Sequence, residues 1–154
     1  MNPPVIFRRA TIADLEPILA LLADDSIAAE REGSRSFAPD VYHQAFGEID
    51  QDPNQWLAVA DSDGEIVGTL QLTFIPGLLQ GGAWRGQIEA VRVSATHRGQ
   101  GLGAEFLQWA VETCRERGCR TVQLTTDKRR TDAHRFYEKL GFQGTHYGYK
   151  LTLP

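Results

Sequence analysis

Val91-Arg92-Val93-Ser94-Ala95-Thr96-His97-Arg98-Gly99-Gln100-Gly101-Leu102-Gly103-Ala104 is the stretch whose residue types and spacing point most directly to chemistry. A β-branched run ends in a basic, glycine-rich loop, and an amphipathic pattern follows at once. Glycine lets backbone approach a ligand with no Cβ in the way. The first N–H groups of a helix have no intrahelical partner and sit at the positive end of its dipole. Strand, glycine loop and helix start, in that order, form a backbone cradle for phosphate or pyrophosphate. Two further side chains stand out. Glu89 is an acid inside a mostly apolar strand pattern, which is costly unless the acid is paired or used. Tyr137 lies just before Gly141-Phe142 and by spacing alone reads as a packed helix aromatic.

The loop admits two readings. Gly99-Gln100-Gly101-Leu102-Gly103-Ala104 matches the dinucleotide fingerprint G-x-G-x-x-[GA], with Asp127 ending the next strand where a ribose-binding acid belongs. Against this, Ser94 to Arg98 separate the strand from the first glycine. Only about fifty residues follow the match, and the strands before it read as hairpins. The other reading takes Arg98-Gly99-Gln100-Gly101-Leu102-Gly103 as [RQ]-x-x-G-x-[GA]. So read, it resembles the pyrophosphate loop of the GNAT superfamily of acetyl-CoA-dependent N-acetyltransferases. Ile88-Glu89-Ala90-Val91-Arg92-Val93 before it and Phe136-Tyr137-Glu138-Lys139-Leu140-Gly141-Phe142 after it extend the resemblance, which runs from Phe7 to Leu153.

The resemblance implies an α+β fold: a mixed, mostly antiparallel sheet flanked by helices, with two central strands splayed after Val93. It implies that acetyl-CoA is the co-substrate. The backbone of Val91, Arg92 and Val93 would bond the pantetheine amides like an added strand. Arg98, Gly99, Gln100, Gly101, Leu102, Gly103 and Ala104 would hold the pyrophosphate. Lys128-Arg129-Arg130 either meets the coenzyme's 3′-phosphate or forms a solvated basic loop. The chain departs from the family at Arg130, where an asparagine often bonds pantetheine. Asp127 and Asp132 are the nearby substitutes, although Asp132 also reads as a helix cap. His97 and His134 read as solvent-facing.

Acetyl transfer to an amine makes three demands. An alkylammonium has a pKa near 10.4, so a base or water chain must take its proton. The thioester oxygen needs a donor as charge develops, normally a backbone N–H, which the resemblance assigns to Val91. The departing thiolate benefits from a proton, and the resemblance assigns that role to Tyr137. Glu89 is the expected base, acting through water; an exposed strand face or a salt bridge with Arg85 or Arg92 is its bland alternative. Simple alternation puts Glu89 on the face of Val91 and Val93, and a bulge would change that.

Composition sets the frame. The 154 residues fit a single domain spanning 1–154, and 42% hydrophobic content suffices for a core. No apolar run approaches membrane-spanning length, and Met1-Asn2-Pro3-Pro4 does not open a signal peptide, so a cytoplasmic protein without membrane association is expected. A net charge of −4 argues against nucleic-acid binding and mildly favours a cationic substrate. Cys114 and Cys119 lack a ligand cluster, so no metal is expected, and both read as reduced, buried thiols.

The elements that must position these groups follow from pattern. Val5 to Ala10 reads as a strand and Thr11-Ile12-Ala13-Asp14 as an approximate capping box. Leu15, Ile18, Leu19 and Leu22 mark a helix face. Asp24 to Ser36 is polar and irregular. A second helix begins near Pro39, with Tyr42, Ala45, Phe46 and Ile49 on one face. Strands from Trp56 to Ala60 and Glu65 to Phe74 flank Asp61-Ser62-Asp63-Gly64 as a hairpin. Arg85 to Val93 is the next strand. After the loop come a helix ended by Gly118, a strand from Thr121 to Thr126, a helix from Asp132 to Leu140, and one or two strands between Phe142 and Leu153.

The acceptor pocket is expected between the first two helices and the Ile75–Trp84 loop, read as an apolar flap. Tyr42, Phe74, Trp84 and Glu89 would line it, with acids from Asp24 to Glu32 nearby. The chain therefore reads as an N-acetyltransferase moving an acetyl group to a small primary amine by direct attack in a ternary complex. A protein or peptide acetyltransferase and a non-catalytic acyl-CoA-binding module are the alternatives, and a homodimer is left open.

Overall fold

A computed structural model describes residues 3–25, 27, 30 and 37–154. The expected irregular segment from Asp24 to Ser36, with the acid at Glu32, falls largely outside the described residues. Strand β1 (Val5–Arg9) leads into a short 3₁₀ turn at Ile12–Asp14 and helix α1 (Leu15–Ala23). Asp14 reaches back to accept the Thr11 N–H at 2.7 Å, so the first turn is closed as the sequence suggests. The same buried carboxylate takes the Arg8 guanidinium at 2.7 Å, and Arg8 also meets Asp61 at 2.8 Å, which pins the helix start to the sheet. Helix α2 (Pro39–Gln51) starts on a proline whose fixed φ suits a first turn.

Strands β2 (Gln55–Ser62), β3 (Glu65–Ile75), β4 (Trp84–Val93) and β5 (Cys119–Leu124) complete a sheet in the order β1-β2-β3-β4-β5. The first four strands pair antiparallel, and β5 lies parallel to β4. A parallel neighbour needs a crossover, and helix α3 (Leu102–Glu116) provides it. Helix α4 (Thr131–Lys139) follows β5.

The sheet buries both faces. On one, Leu70, Leu72, Phe74 and Ile88 meet Phe106, Leu107, Ala110 and Cys114 of α3, and Phe7 stacks on Phe106 with ring centroids 4.9 Å apart. On the other, Val59 packs with Leu15 and Ile18 of α1 and Phe46 of α2. Gly86 permits a close approach of helix to sheet: a Cβ there would collide with Cys114 Sγ. One expectation fails. Residues 143–154 form no strand, and each of them is exposed.

Candidate active site

The β4–β5 pairing runs only from Trp84↔Cys119 to Ile88↔Leu124. Beyond Ile88, β4 continues to Val93 with no described strand bonded to its β5 side, so the two parallel strands part where the glycine loop begins. On its other side β4 carries a bulge. Gln71 opposes Glu89 and Thr69 opposes Arg92, so Leu70 alone faces both Ala90 and Val91. Ala90 absorbs the extra residue at φ 53°, a left-handed conformation that costs a non-glycine residue roughly 1–3 kcal/mol and collects at functional sites.

The bulge changes the phase of the strand. Gly86 and Ile88 are buried before it; Val91 and Val93 pack on the α3-side core after it. Glu89 therefore does not share a face with Val91, as plain alternation requires. It is exposed, and accepts a long hydrogen bond from the Thr73 hydroxyl at 3.4 Å.

Past Val93 the chain makes a short 3₁₀ turn at Ala95–His97 and then the loop itself. Gly99 and Gly101 adopt φ 75° and 85°, and Gly101 is the N-cap of α3, which directs the orphan N–H groups of the helix start outward. Arg98, Gly99, Gln100 and Gly101 are exposed, while Leu102 is buried and anchors the helix. Gly103 has ordinary φ and packs against the Phe136 ring, which links the loop to α4. Ala104 is half-buried one residue on. Arg98 donates to the Val93 carbonyl at 3.1 Å and meets Asp24 at 3.3 Å; Gln100 donates to the Thr96 carbonyl at 2.9 Å. His97 bonds Ser94, and His134 bonds the Asp127 carbonyl, so both histidines are engaged locally.

Tyr137 lies on α4 between Phe136 and Phe142, with ring centroids 5.4 and 6.0 Å away. Burial pushes its phenol pKa up, partly offset by the positive charges of Arg130 and Arg92, so the hydroxyl keeps its proton at neutral pH. Those two arginines converge on one carboxylate. Asp25, whose side chain is 6% exposed, accepts Arg92 at 2.6 Å and Arg130 at 2.7 Å. The segment after α1 is thus tied both to the splayed part of β4 and to α4. Arg129 is held by Asp127 at 3.1 Å and Glu30 at 2.7 Å, and Lys128 lies 5.7 Å from the Tyr147 ring. Asp132 is not a cap: Arg130 occupies the N-cap position, and the Asp132 side chain is fully exposed in the first turn. Just past β5, the Thr126 hydroxyl is buried without a hydrogen-bond partner, an arrangement that suits a ligand donor or acceptor.

The expected acceptor residues do not come together. Phe74 is a core residue, 1% exposed beneath the Arg117 guanidinium, so its ring is not available to a substrate. Tyr42 packs in the α1–α2 cluster, edge-on to Phe37. Trp84 begins β4 at the end where β4 and β5 are paired, away from the glycine loop. There the Pro76–Ala83 connection leaves Leu78 and Leu79 96% and 85% exposed, covering nothing.

The residues beside Glu89 are instead polar. Gln71 and Thr73 both donate to the side-chain amide oxygen of Gln55, and Gln123 donates to that of Gln87, which gives a row of amides and hydroxyls across four strands. In the sequence each stands beside apolar neighbours, so none is marked out singly. The period-two recurrence of Gln71 and Thr73, and of Gln87 and Glu89, was the available signal.

Neither thiol is placed for chemistry at this site. Cys114 lies beneath Gly86, and its pKa is pushed up to about 12 by burial, with a smaller contribution from Cys119. Cys119 pairs with Trp84 at the start of β5. Among the described residues no cluster of metal-binding side chains occurs, and no helix is long and apolar enough to cross a membrane.

Comparison with known proteins completes this picture. Residues 18–142 match the model of the Acetyltransferase (GNAT) family. Aminoalkylphosphonate N-acetyltransferase of Salmonella typhimurium is 30% identical over 98% of this chain and 93% of its own length. Glucosamine 6-phosphate N-acetyltransferase of Trypanosoma brucei brucei is 37% identical over 58% of this chain and 59% of its own. Among solved structures, a Bacillus halodurans protein described as a transcriptional regulator is 48% identical. It superposes with a TM-score of 0.91, covering 97% of this chain and 100% of that one.

Proposed function

This chain belongs to the acetyltransferase (GNAT) family, and from that premise we propose that it transfers the acetyl group of acetyl-CoA to the primary amine of a small molecule. The observation that carries the reading is the bulge at Ala90. It sets an exposed carboxylate and a strand edge with no partner strand side by side, a few residues before an anion-ready glycine loop.

The residues present fit the coenzyme. Pyrophosphate would lie on the N–H groups from Gly99 to Ala104, with Arg98 exchanging Asp24 for phosphate oxygens. Pantetheine would extend the sheet along Val91, Arg92 and Val93, and the Thr126 hydroxyl just past β5, which has no hydrogen-bond partner, would be a further partner if the bound coenzyme reaches it. Asp127 and Arg130 hold the loop between β5 and α4; Asp132 is left no binding role here.

The reaction then runs by direct attack. The amine nitrogen, its proton taken by Glu89 directly or through water, adds to the thioester carbonyl carbon. The Val91 N–H stabilises the oxygen as it gains charge. The carbon–sulfur bond breaks, Tyr137 protonates the leaving thiolate, and the phenol regains the proton released by the amine through solvent. The burial and high pKa of Cys114, and the remote position of Cys119, support this route over an acyl-cysteine intermediate.

The acceptor would rest on the polar row of Gln55, Gln71, Thr73, Gln87 and Gln123. Neutral amides and hydroxyls suit hydrogen bonding to a small polar amine, and two relatives are named for small amine substrates. The test is calorimetry with acetyl-CoA, followed by thiol release across matched panels of small amines and lysine or N-terminal peptides. Acetyl-CoA binding and a small-amine preference in kcat/KM are expected. Peptides ahead by tenfold would reassign the acceptor, and binding without turnover would leave an acyl-CoA-binding module.

A further inference from the structure

Acids at and just beyond the end of α1 already engage the arginines around the glycine loop and the splayed strand. Arg98 of the loop meets Asp24 at 3.3 Å, and Arg129, just before α4, meets Glu30 at 2.7 Å. Asp25 takes both Arg92 and Arg130. Three acids near one another in the chain thus reach the phosphate loop, β4 and the start of α4.

These pairs are of two kinds. The Asp25 carboxylate is buried between two largely buried guanidiniums, and separating such a pair is strongly unfavourable. In the Asp24–Arg98 and Glu30–Arg129 pairs all four side chains are more than half exposed. An exposed pair contributes little, and a phosphate brings more charge and more acceptor oxygens than a carboxylate. Both arginines also have a second, local partner. Arg98 donates to the Val93 carbonyl five residues away, and Arg129 is held by Asp127 two residues away. The acids lie 74 and 99 residues away in the chain. The local bonds aim each guanidinium, and the distant acid only occupies it.

We propose that Asp24 and Glu30 are built-in competitors for the coenzyme's phosphates. Asp24 competes with the pyrophosphate for Arg98, and Glu30 competes with the 3′-phosphate for Arg129. The inference rests on the acetyl-CoA reading of the glycine loop. No covalent bond changes in the exchange: each arginine swaps a carboxylate for a phosphate oxygen, and the acid turns to water. After acetyl transfer the acids reclaim the arginines as CoA leaves, so the competition lowers affinity and favours product release.

Calorimetry with CoA and with dephospho-CoA, which lacks only the 3′-phosphate, reads the two positions separately. Asp24→Asn should tighten both ligands about two- to fivefold, the range for removing one exposed ion-pair partner. Glu30→Gln should tighten CoA by a similar factor and leave dephospho-CoA unchanged. Asp132→Asn removes a fully exposed acid on α4 that pairs with Arg135 instead, and should change neither ligand. The gains should shrink at high salt, which screens the exposed pairs. Unchanged or weaker CoA binding in Asp24→Asn and Glu30→Gln, or equal tightening by Asp132→Asn, would overturn the competition. Equal tightening of both ligands by Glu30→Gln would overturn its assignment to the 3′-phosphate. A wild-type protein that binds neither ligand would refute the coenzyme reading itself.

Discussion

Glu89 and Val91 lie on opposite faces of β4 although only one residue separates them, because Ala90 turns through φ 53°. The carboxylate is thereby presented to the polar side of the sheet while Val91 stays on the core side. Ala90→Gly should preserve activity and leave stability within about 1 kcal/mol or slightly higher, since glycine takes this φ without strain. Ala90→Val should cost about 1–3 kcal/mol and depress kcat. Urea titration and thiol release check both. A fully active, equally stable valine variant would show that the bulge does not shape the site.

Tyr137→Phe keeps the packing against Phe136 and Phe142 and removes only the proton, so kcat should fall roughly 10²-fold with little change in coenzyme Kd. Glu89→Gln removes the carboxylate that would take the amine's proton and should lower kcat/KM with little change in coenzyme Kd. Burial raises the phenol pKa, so Tyr137 should contribute no limb in the neutral range. Wild-type kcat in the phenylalanine variant, with chemistry rate-limiting, would remove the assignment.

Gly101 and Gly103 should respond differently. At Gly101 a Cβ meets nothing within 4 Å, but φ is 85°, so Gly101→Ala is strained by backbone alone and should weaken acetyl-CoA tenfold or more. At Gly103 the φ is ordinary and the nearest atom, on Phe136, is 3.4 Å away. Gly103→Ala should fold normally, and only a larger residue should disturb the helix contact. Calorimetric titration of the two alanine variants separates strain from crowding.

Asp14 is held below the usual carboxylate range, first by its hydrogen bonds to Arg8 and then by the Thr11 N–H, against an opposing desolvation. A carboxylate lowered in the fold contributes stability above its unfolded pKa of about 3.9, and that contribution is lost as pH falls through the folded value. Asp14→Asn should therefore lower stability at pH 7 by about 2 kcal/mol, with Arg8 a third exposed and partly screened. The difference between the two proteins should shrink toward pH 3 in urea titrations. A gap that is constant with pH would mean that packing, not charge, is what the substitution disturbs.

Gly86→Ala would drive a methyl group into Cys114 Sγ and should cost about 1–3 kcal/mol. Cys114→Ala should recover part of that loss, so a double-mutant cycle should show favourable coupling between the two sites. Simple additivity would place the strain elsewhere.

Local chemistry made much of this molecule legible in its sequence. The Thr11–Asp14 closure, the helix faces through Leu15 and Phe106, and the glycine loop before Leu102 depend on residues near one another in the chain, where φ preference and apolar period act directly. Resemblance brought Glu89 and Tyr137 forward together, and their roles stand as proposals. What the sequence withheld was decided by non-local pairing. Register, not composition, puts the bulge opposite Leu70 and so sends Glu89 to the polar face. The same registers align Gln55, Gln71 and Thr73 across the sheet, and they bury Phe74, which reads from sequence as an available aromatic. The tail shows the limit most plainly. Its alternation marks Tyr147 to Leu153 as a strand, but a strand exists only where another edge supplies its hydrogen bonds, and no described edge of its own sheet does so.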